Sequence, residues 1–282
     1  MTRLVDLLDG RRSAYEVFGD ADGAPVLLLH GFSDSRLTGT LLDGPARECG
    51  VRLVVPDRPG HGLSSGQLTS FEDAARWMVA FADAVGLGEF PLVAVSGGAP
   101  FALAAGRYAP ERLTQVVVLS GLGPPELGTE GMPARQRAAI AVAARAPAAA
   151  ARGLAGIAWL ANLSPATFLR LVASASSAPD ARAARSPSSG QTIVRPFVEA
   201  YHQGPRGVAA ELRLLLRPWS FEPEDVESAV HFEHGADDAT VPPSVPRTLA
   251  ARMPRATVSI RKGAGHFTLV PSHGSEILRA LV

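Results

Sequence analysis

Among the side chains from which this 282-residue chain could build a reactive centre, Ser96 stands out, in the run Ala94-Val95-Ser96-Gly97-Gly98. An apolar stretch ends at Val95 and a helical pattern begins at Pro100, so the serine sits on a strand-to-helix turn with its hydroxyl exposed. Such a sharp turn leaves room only for small residues two positions before and after the serine, and Ala94 and Gly98 meet that need. At a helix N-terminus, unpaired N–H groups and the helix dipole stabilise negative charge developing beside the hydroxyl, which makes the Gly97 N–H one half of an oxyanion hole. A glycine-rich turn can also cradle a phosphate, so this feature alone does not fix the chemistry. A second loop, Leu29-His30-Gly31-Phe32, follows another apolar stretch and would bring the Phe32 N–H to the same place.

A serine nucleophile needs a base, and the chain has seven histidines. His266 is chosen by its context, Lys262-Gly263-Ala264-Gly265-His266-Phe267, a glycine-rich loop after the last strand-like run. The base needs a carboxylate to fix its tautomer, and Gly235-Ala236-Asp237-Asp238-Ala239-Thr240-Val241-Pro242 offers two neighbouring aspartates after the preceding run. Residues 231–234, His-Phe-Glu-His, look like a metal cluster on paper. They lack HExxH spacing, and in a strand two histidines three apart point to opposite faces, so no metal is expected.

The elements that must position these groups follow from the apolar pattern. Short β-branched or leucine runs at 25–29, 51–55, 91–95, 116–119, 229–233 and 256–260 alternate with helix-length segments, as in a mostly parallel α/β sheet flanked by helices. A segment opening with Pro242 and Pro243 reads as a helix start. Between Gly121 and about Glu222 the alternation stops and the sequence turns rich in alanine, arginine, leucine and proline. Helices are expected over 134–146 and 207–216, with 186–190 (SPSSG) as a mobile link. The expected organisation is a core of residues 1–121 and 223–282 interrupted by a helical cap over 122–222. Its aromatics Trp159, Phe168, Phe197, Tyr201 and Trp219, with Phe32 from the core, are the candidate substrate-binding residues.

With these motifs in hand, the chain resembles the α/β-hydrolase superfamily over nearly its whole length, through HGx, PDRPGxGxS (56–64), VSGGxP, GxxDxxVP and GAGH. Its order of Ser, then Asp, then His is the order of that family. The resemblance implies that the acid is Asp238, three residues after Gly235, leaving Asp237 as a loop residue bonding to backbone N–H groups. It places the oxyanion donors on Phe32 and Gly97, and it gives Asp57 and His61 a structural role beside the elbow. It further implies a serine hydrolase without cofactor that cleaves a carboxylic ester or similar acyl bond of a small, largely apolar substrate. Carbon–carbon bond hydrolases, perhydrolases, and cyclases or ligand-binding proteins reusing the pocket share the same residues. Branches with aspartate at the elbow are disfavoured by Ser96. The likeness within the cap is confined to its position and to 204–219, so substrate identity does not carry over.

Composition narrows the partners. Lysine plus arginine and aspartate plus glutamate each total 27, leaving no net field to attract nucleic acid or a membrane surface. Cys49 is the single cysteine, so no intrachain disulfide can form, and a reducing compartment fits. Residues 1–12 lack the apolar run of a signal peptide, and 134–160 is interrupted by Arg145, Pro147 and Arg152. The expectation is a cytoplasmic protein acting on a small molecule, with a homodimer compatible with the sequence.

Overall fold

The computed structural model describes residues 1–127 and 129–282. Eight strands, β1 (Arg3–Asp6), β2 (Arg12–Gly19), β3 (Ala24–Leu29), β4 (Val51–Pro56), β5 (Phe90–Val95), β6 (Leu113–Leu119), β7 (Val230–Gly235) and β8 (Ala256–Arg261), form one sheet. Their spatial order is β1-β2-β4-β3-β5-β6-β7-β8. All neighbours from β4 through β8 run parallel, while β1 and β2 are antiparallel to each other and β2 to β4.

The central strands read as unbroken apolar runs because both faces are covered. Period-two alternation divides each run between two cores. Leu27 and Leu29, Leu92 and Ala94, and Val116 and Val118 face the helices Phe71–Ala84 and Ala99–Tyr108, where Trp77, Met78, Phe81 and Phe101 are buried. Val26 and Leu28, Val93, and Val117 and Leu119 face the opposite layer, with Ala46, Val270, Ile277 and Leu278 from the helices Asp43–Glu48 and Leu269–Arg279. Burial of each such side chain contributes about 1.5–3 kcal/mol, which makes the sheet a stiff platform for the loops at its carboxyl edge.

Six strands coincide with the apolar runs of the sequence to within a few residues. The antiparallel pair β1 and β2 went unread: β1 is mostly exposed, and β2 carries Arg12 and Glu16 among its apolar residues. A turn closed by Leu7 N–H on Arg11 O (2.8 Å), with Gly10 at φ 82°, joins them. Between β6 and β7 the chain forms the helices Ala134–Arg145, Pro147–Leu163, Pro165–Ala175, Ala178–Ala183, Arg195–Glu199 and Arg206–Leu215. Prolines at the starts of several of them supply a preset φ where no N–H partner is needed. The 186–190 segment is a hydrogen-bonded turn rather than a free link. Ser189 is buried and its hydroxyl donates to Ser186 O (2.6 Å), ahead of a π-helical turn at Gly190–Val194. Among the described residues no helix is long and apolar enough to cross a membrane.

Candidate active site

β5 delivers its chain directly into Ser96, whose φ of 50° lies in the left-handed region that non-glycine residues avoid at a cost of about 1–3 kcal/mol. The turn then tightens through Ser96–Gly98 into the helix Ala99–Tyr108. The glycines are required by the HGF loop. A Cβ on Gly97 would lie 2.6 Å from Phe32 Cβ and 2.7 Å from Phe32 N, and one on Gly98 would lie 2.7 Å from His30 O. Ala94, fully buried in β5, fits where a glycine is more usual. Phe32 N lies so close to Gly97 that the N–H groups of the HGF loop and of the elbow turn adjoin one another.

The other two side chains arrive on loops from the same sheet edge. Asp238 lies in the turn after β7, where its Oδ1 accepts from the N–H groups of Thr240 and Val241 (both 2.8 Å). Its Oδ2 accepts from His266 Nδ1 at 2.8 Å, and His266 Nε2 lies 3.0 Å from Ser96 Oγ. Donation from Nδ1 leaves Nε2 as the acceptor facing the serine hydroxyl, the tautomer that general-base chemistry requires. Burial pushes the Asp238 carboxyl up, but the adjacent His266 and the backbone donors outweigh it and hold the group below its ordinary value. Burial likewise pushes His266 down, and the Asp238 charge and hydrogen bond, helped by the charge of Asp180, raise it net above the ordinary imidazole value. Asp237 is exposed; its N–H donates to Ala264 O (2.9 Å), and among the described residues its carboxylate takes no backbone N–H of the kind expected for it. His231 bonds to Thr257 Oγ1 (2.7 Å) and Glu233 (3.0 Å), whereas His234, on the other face, donates to Val241 O (2.8 Å).

The PDRPGHGLS segment builds the floor beneath the HGF loop. Arg58, fully buried, donates through Nη2 to Gly31 O (2.9 Å) and through Nη1 to His30 O, while its N–H donates to His30 Nε2 (3.0 Å). A trans peptide holds its N–H antiparallel to its C=O, so fixing Gly31 O also fixes the direction of the Phe32 N–H. The same guanidinium pairs with Glu211 of the helix Arg206–Leu215 at 2.7 and 2.8 Å. Asp57 accepts from the Arg36 N–H (2.6 Å) and guanidinium (2.7 Å), and Arg36 also meets Glu199 of the helical insertion (2.8 Å). His61, fully buried, lies beside His30 with ring centres 5.3 Å apart and planes tilted by 56°.

Of the aromatic candidates, the structure brings four together. Phe32 and Tyr201 pack on Ala151, Val208 and Ala209; Tyr201 stands edge-on to Phe197 (5.6 Å), which stacks on Phe168 (5.1 Å). Tyr201 Oη is 2.6 Å from Ser33 Oγ, tying this row to the HGF loop. The other two lie elsewhere. Trp159 is 63% exposed because the helix Pro147–Leu163 buries its alanines 151, 158 and 161 and turns its larger residues outward. Trp219 belongs to the sheet-side core, stacked on Phe221 (5.2 Å) with its edge toward Phe71 (6.1 Å).

Sequence reasoning missed the carboxylates that the insertion contributes. Glu199 and Glu211 grip Arg36 and Arg58, and Asp180, almost wholly buried, accepts from the N–H groups of His266 (2.7 Å), Phe267 (2.8 Å) and Thr268 (3.1 Å). The one available signal was the scarcity of acids there: among residues 131–198 Asp180 is the only one.

The comparisons agree with this architecture. The profile of a family described as alpha/beta hydrolase fold matches residues 24–271. An uncharacterized hydrolase YcgS of Bacillus subtilis is 27% identical over 130 residues, 43% of each chain. A 2-hydroxymuconate semialdehyde hydrolase of Pseudomonas putida is 31% identical over 106 residues, 36% of this chain and 38% of that protein. The chain thus matches less than half the length of these curated relatives. A thermophilic esterase from Thermogutta terrifontis superimposes with a TM-score of 0.70 at 22% identity, over 99% of this chain and 97% of that one, a likeness of fold. A family match spanning most of the chain means that this protein, with its eight-stranded and mostly parallel sheet, belongs to the alpha/beta hydrolase fold family.

Proposed function

We propose that the protein is a serine hydrolase that cleaves a carboxylic ester or similar acyl bond of a small, largely apolar substrate. The observation that carries this reading is the hydrogen-bond chain from Asp238 through His266 to Ser96. Ser96 Oγ attacks the substrate carbonyl while His266 Nε2 takes its proton, and Asp238 stabilises the imidazolium. The Phe32 and Gly97 N–H groups hold the oxygen as it gains negative charge. His266 then returns the proton to the departing alcohol. Water, deprotonated by the same imidazole, attacks the acyl-enzyme and releases the acid. The helical insertion acts as a cap, and the row Phe32, Tyr201, Phe197 and Phe168 supports an apolar acyl or alcohol group.

A second reading, carbon–carbon bond hydrolysis, draws on the local similarity to the Pseudomonas putida semialdehyde hydrolase. A panel of esters, lactones and β-diketones separates the two by which bond is cut. For either, Ser96→Ala is expected to lower kcat at least about 10³-fold. Parental turnover of short p-nitrophenyl esters by that variant would remove Ser96 from the mechanism.

A further inference from the structure

The loop that carries His266 is held from outside the sheet. Its backbone crosses from β8 to the helix Leu269–Arg279 in a few residues, and it cinches itself only once, where the Gly265 N–H donates to Thr268 Oγ1 (2.7 Å). Three successive backbone donors, from His266 to Thr268, go to one carboxylate. Asp180 Oδ2 accepts from the His266 N–H at 2.7 Å, and Oδ1 accepts from the N–H groups of Phe267 (2.8 Å) and Thr268 (3.1 Å) and from Thr268 Oγ1 (3.2 Å). Ser177 Oγ donates to Oδ2 at 2.9 Å and fixes the carboxylate from its own side. A Cβ on Gly265 would collide with this carboxylate, so the loop is glycine where Asp180 approaches.

Asp180 lies on the short helix Ala178–Ala183, 86 residues before the histidine and within the insertion, and it is 1% exposed. Buried carboxylates are costly unless every oxygen is satisfied, and here backbone donors of the His266 loop do most of that work. The two partners therefore depend on each other: undocking the insertion strips the loop of its acceptor and Asp180 of its loop donors. Surface anchoring of a loop needs no such burial.

We propose that Asp180 is a positioning residue for His266, holding its backbone so that the imidazole faces Ser96 only while the helical insertion is docked on the core. This inference rests on the serine hydrolase reading. It makes the insertion part of the catalytic apparatus as well as a cover for the substrate. The groups facing His266 are Asp238 from the turn after β7, His234 of β7 beyond it (3.4 Å from Asp238), Ser96 from the elbow, and Asp180 from the insertion. Asp238 and Asp180 both favour the protonated imidazole, so removing the charge at 180 moves the histidine toward lower pKa.

The test is Asp180→Asn, whose amide must present an N–H₂ to at least one loop donor. Loss of about 1 Å of registration costs roughly 10²-fold, so kcat for a p-nitrophenyl ester should fall about 10²-fold with KM changed less than about threefold. The acid limb of the kcat/KM profile should move to lower pH. Asp180→Glu, one methylene longer, should not restore kcat. Ser177→Ala, which leaves every loop bond and the Asp180 charge in place, should give a smaller fall in kcat with the acid limb unmoved, and an unchanged kcat there counts against the positioning role if Asp180→Asn does not fold. The His266 imidazole titration, followed by NMR, should shift down in Asp180→Asn whether or not the parent cleaves esters, and stay at its parental position in Ser177→Ala, which keeps the charge. In Asp180→Asn, unchanged kcat, or a fall in kcat and melting temperature with an unmoved acid limb and imidazole titration, would overturn the positioning role. Failure of the hydrolase reading shows separately, as parental ester turnover by Ser96→Ala.

Discussion

Replacing Glu211 with glutamine removes one charge from a pair that lies wholly inside the protein. Arg58 and Glu211 meet in two hydrogen bonds of 2.7 and 2.8 Å, at side-chain exposures of 0% and 2%. Breaking a buried pair by neutralising one partner costs about 3–5 kcal/mol, because the remaining charge stays desolvated. The carbonyls of His30 and Gly31 still accept from Arg58, which argues for the lower end of that range. At about 2–4 °C per kcal/mol for a chain of this size, the melting temperature should drop roughly 6–12 °C for a loss near 3 kcal/mol. Thermal and urea unfolding measure this directly. A loss below about 1 kcal/mol, the value of an exposed pair, would refute the account of this contact. A double variant separates stability from chemistry. Arg58→Met with Glu211→Leu removes both charges, so much of the stability should return. The Gly31 carbonyl has then lost its guanidinium donor, so the Phe32 N–H is no longer held in direction. Losing one oxyanion donor outright costs about 10²–10³-fold in kcat, and the double variant should lose at least about tenfold while folding well. Full activity in that variant would mean that Arg58 does not orient the loop.

Three further expectations follow from the site. In the proposed mechanism the neutral imidazole is the base, and against the downward push of burial Asp238 and Asp180 hold it above its ordinary value, so kcat/KM should fall as pH drops through a midpoint above the ordinary imidazole value; Asp238→Asn should lower kcat about 10⁴-fold. Gly97→Ala drives a methyl group against Phe32 and should cut kcat for p-nitrophenyl esters at least about 10²-fold, with much less effect on melting temperature. Trp219→Ala should destabilise by about 3–5 kcal/mol in urea unfolding, and Trp159→Ala by less than about 0.5 kcal/mol with KM unchanged, whereas Phe197→Ala should raise KM for the longer acyl chains.

Strands β3 to β7 could be read from the sequence because burial on both faces writes itself as continuous apolar runs ending in glycine or polar residues, whereas the half-buried edge strand β8 was marked by its β-branched Thr257, Val258 and Ile260. β1 and β2 escaped because their pairing is antiparallel and their exposure breaks the run with Arg12 and Glu16. The meeting of Ser96, Asp238 and His266 was legible for a related reason: each sits on a short turn immediately after a strand of the same sheet edge, and the glycines around them mark close backbone approach. The insertion carried no such code. Alanine-rich helices do not announce which face is buried, and Pro147–Leu163 inverts the usual rule by burying Ala151, Ala158 and Ala161 beneath an exposed Trp159. Asp180 and Glu211 were invisible because their partners lie 86 and 153 residues away in the chain, and nothing local distinguishes a buried acid from a solvated one.

The sharpest test of a nucleophilic Ser96 is covalent. Treatment with a fluorophosphonate, followed by intact-mass and peptide mapping, should show one phosphonyl group per chain, on Ser96, formed far more slowly in His266→Ala and not at all in Ser96→Ala. A folded protein that takes up no label, or takes it up on another residue, would contradict the account.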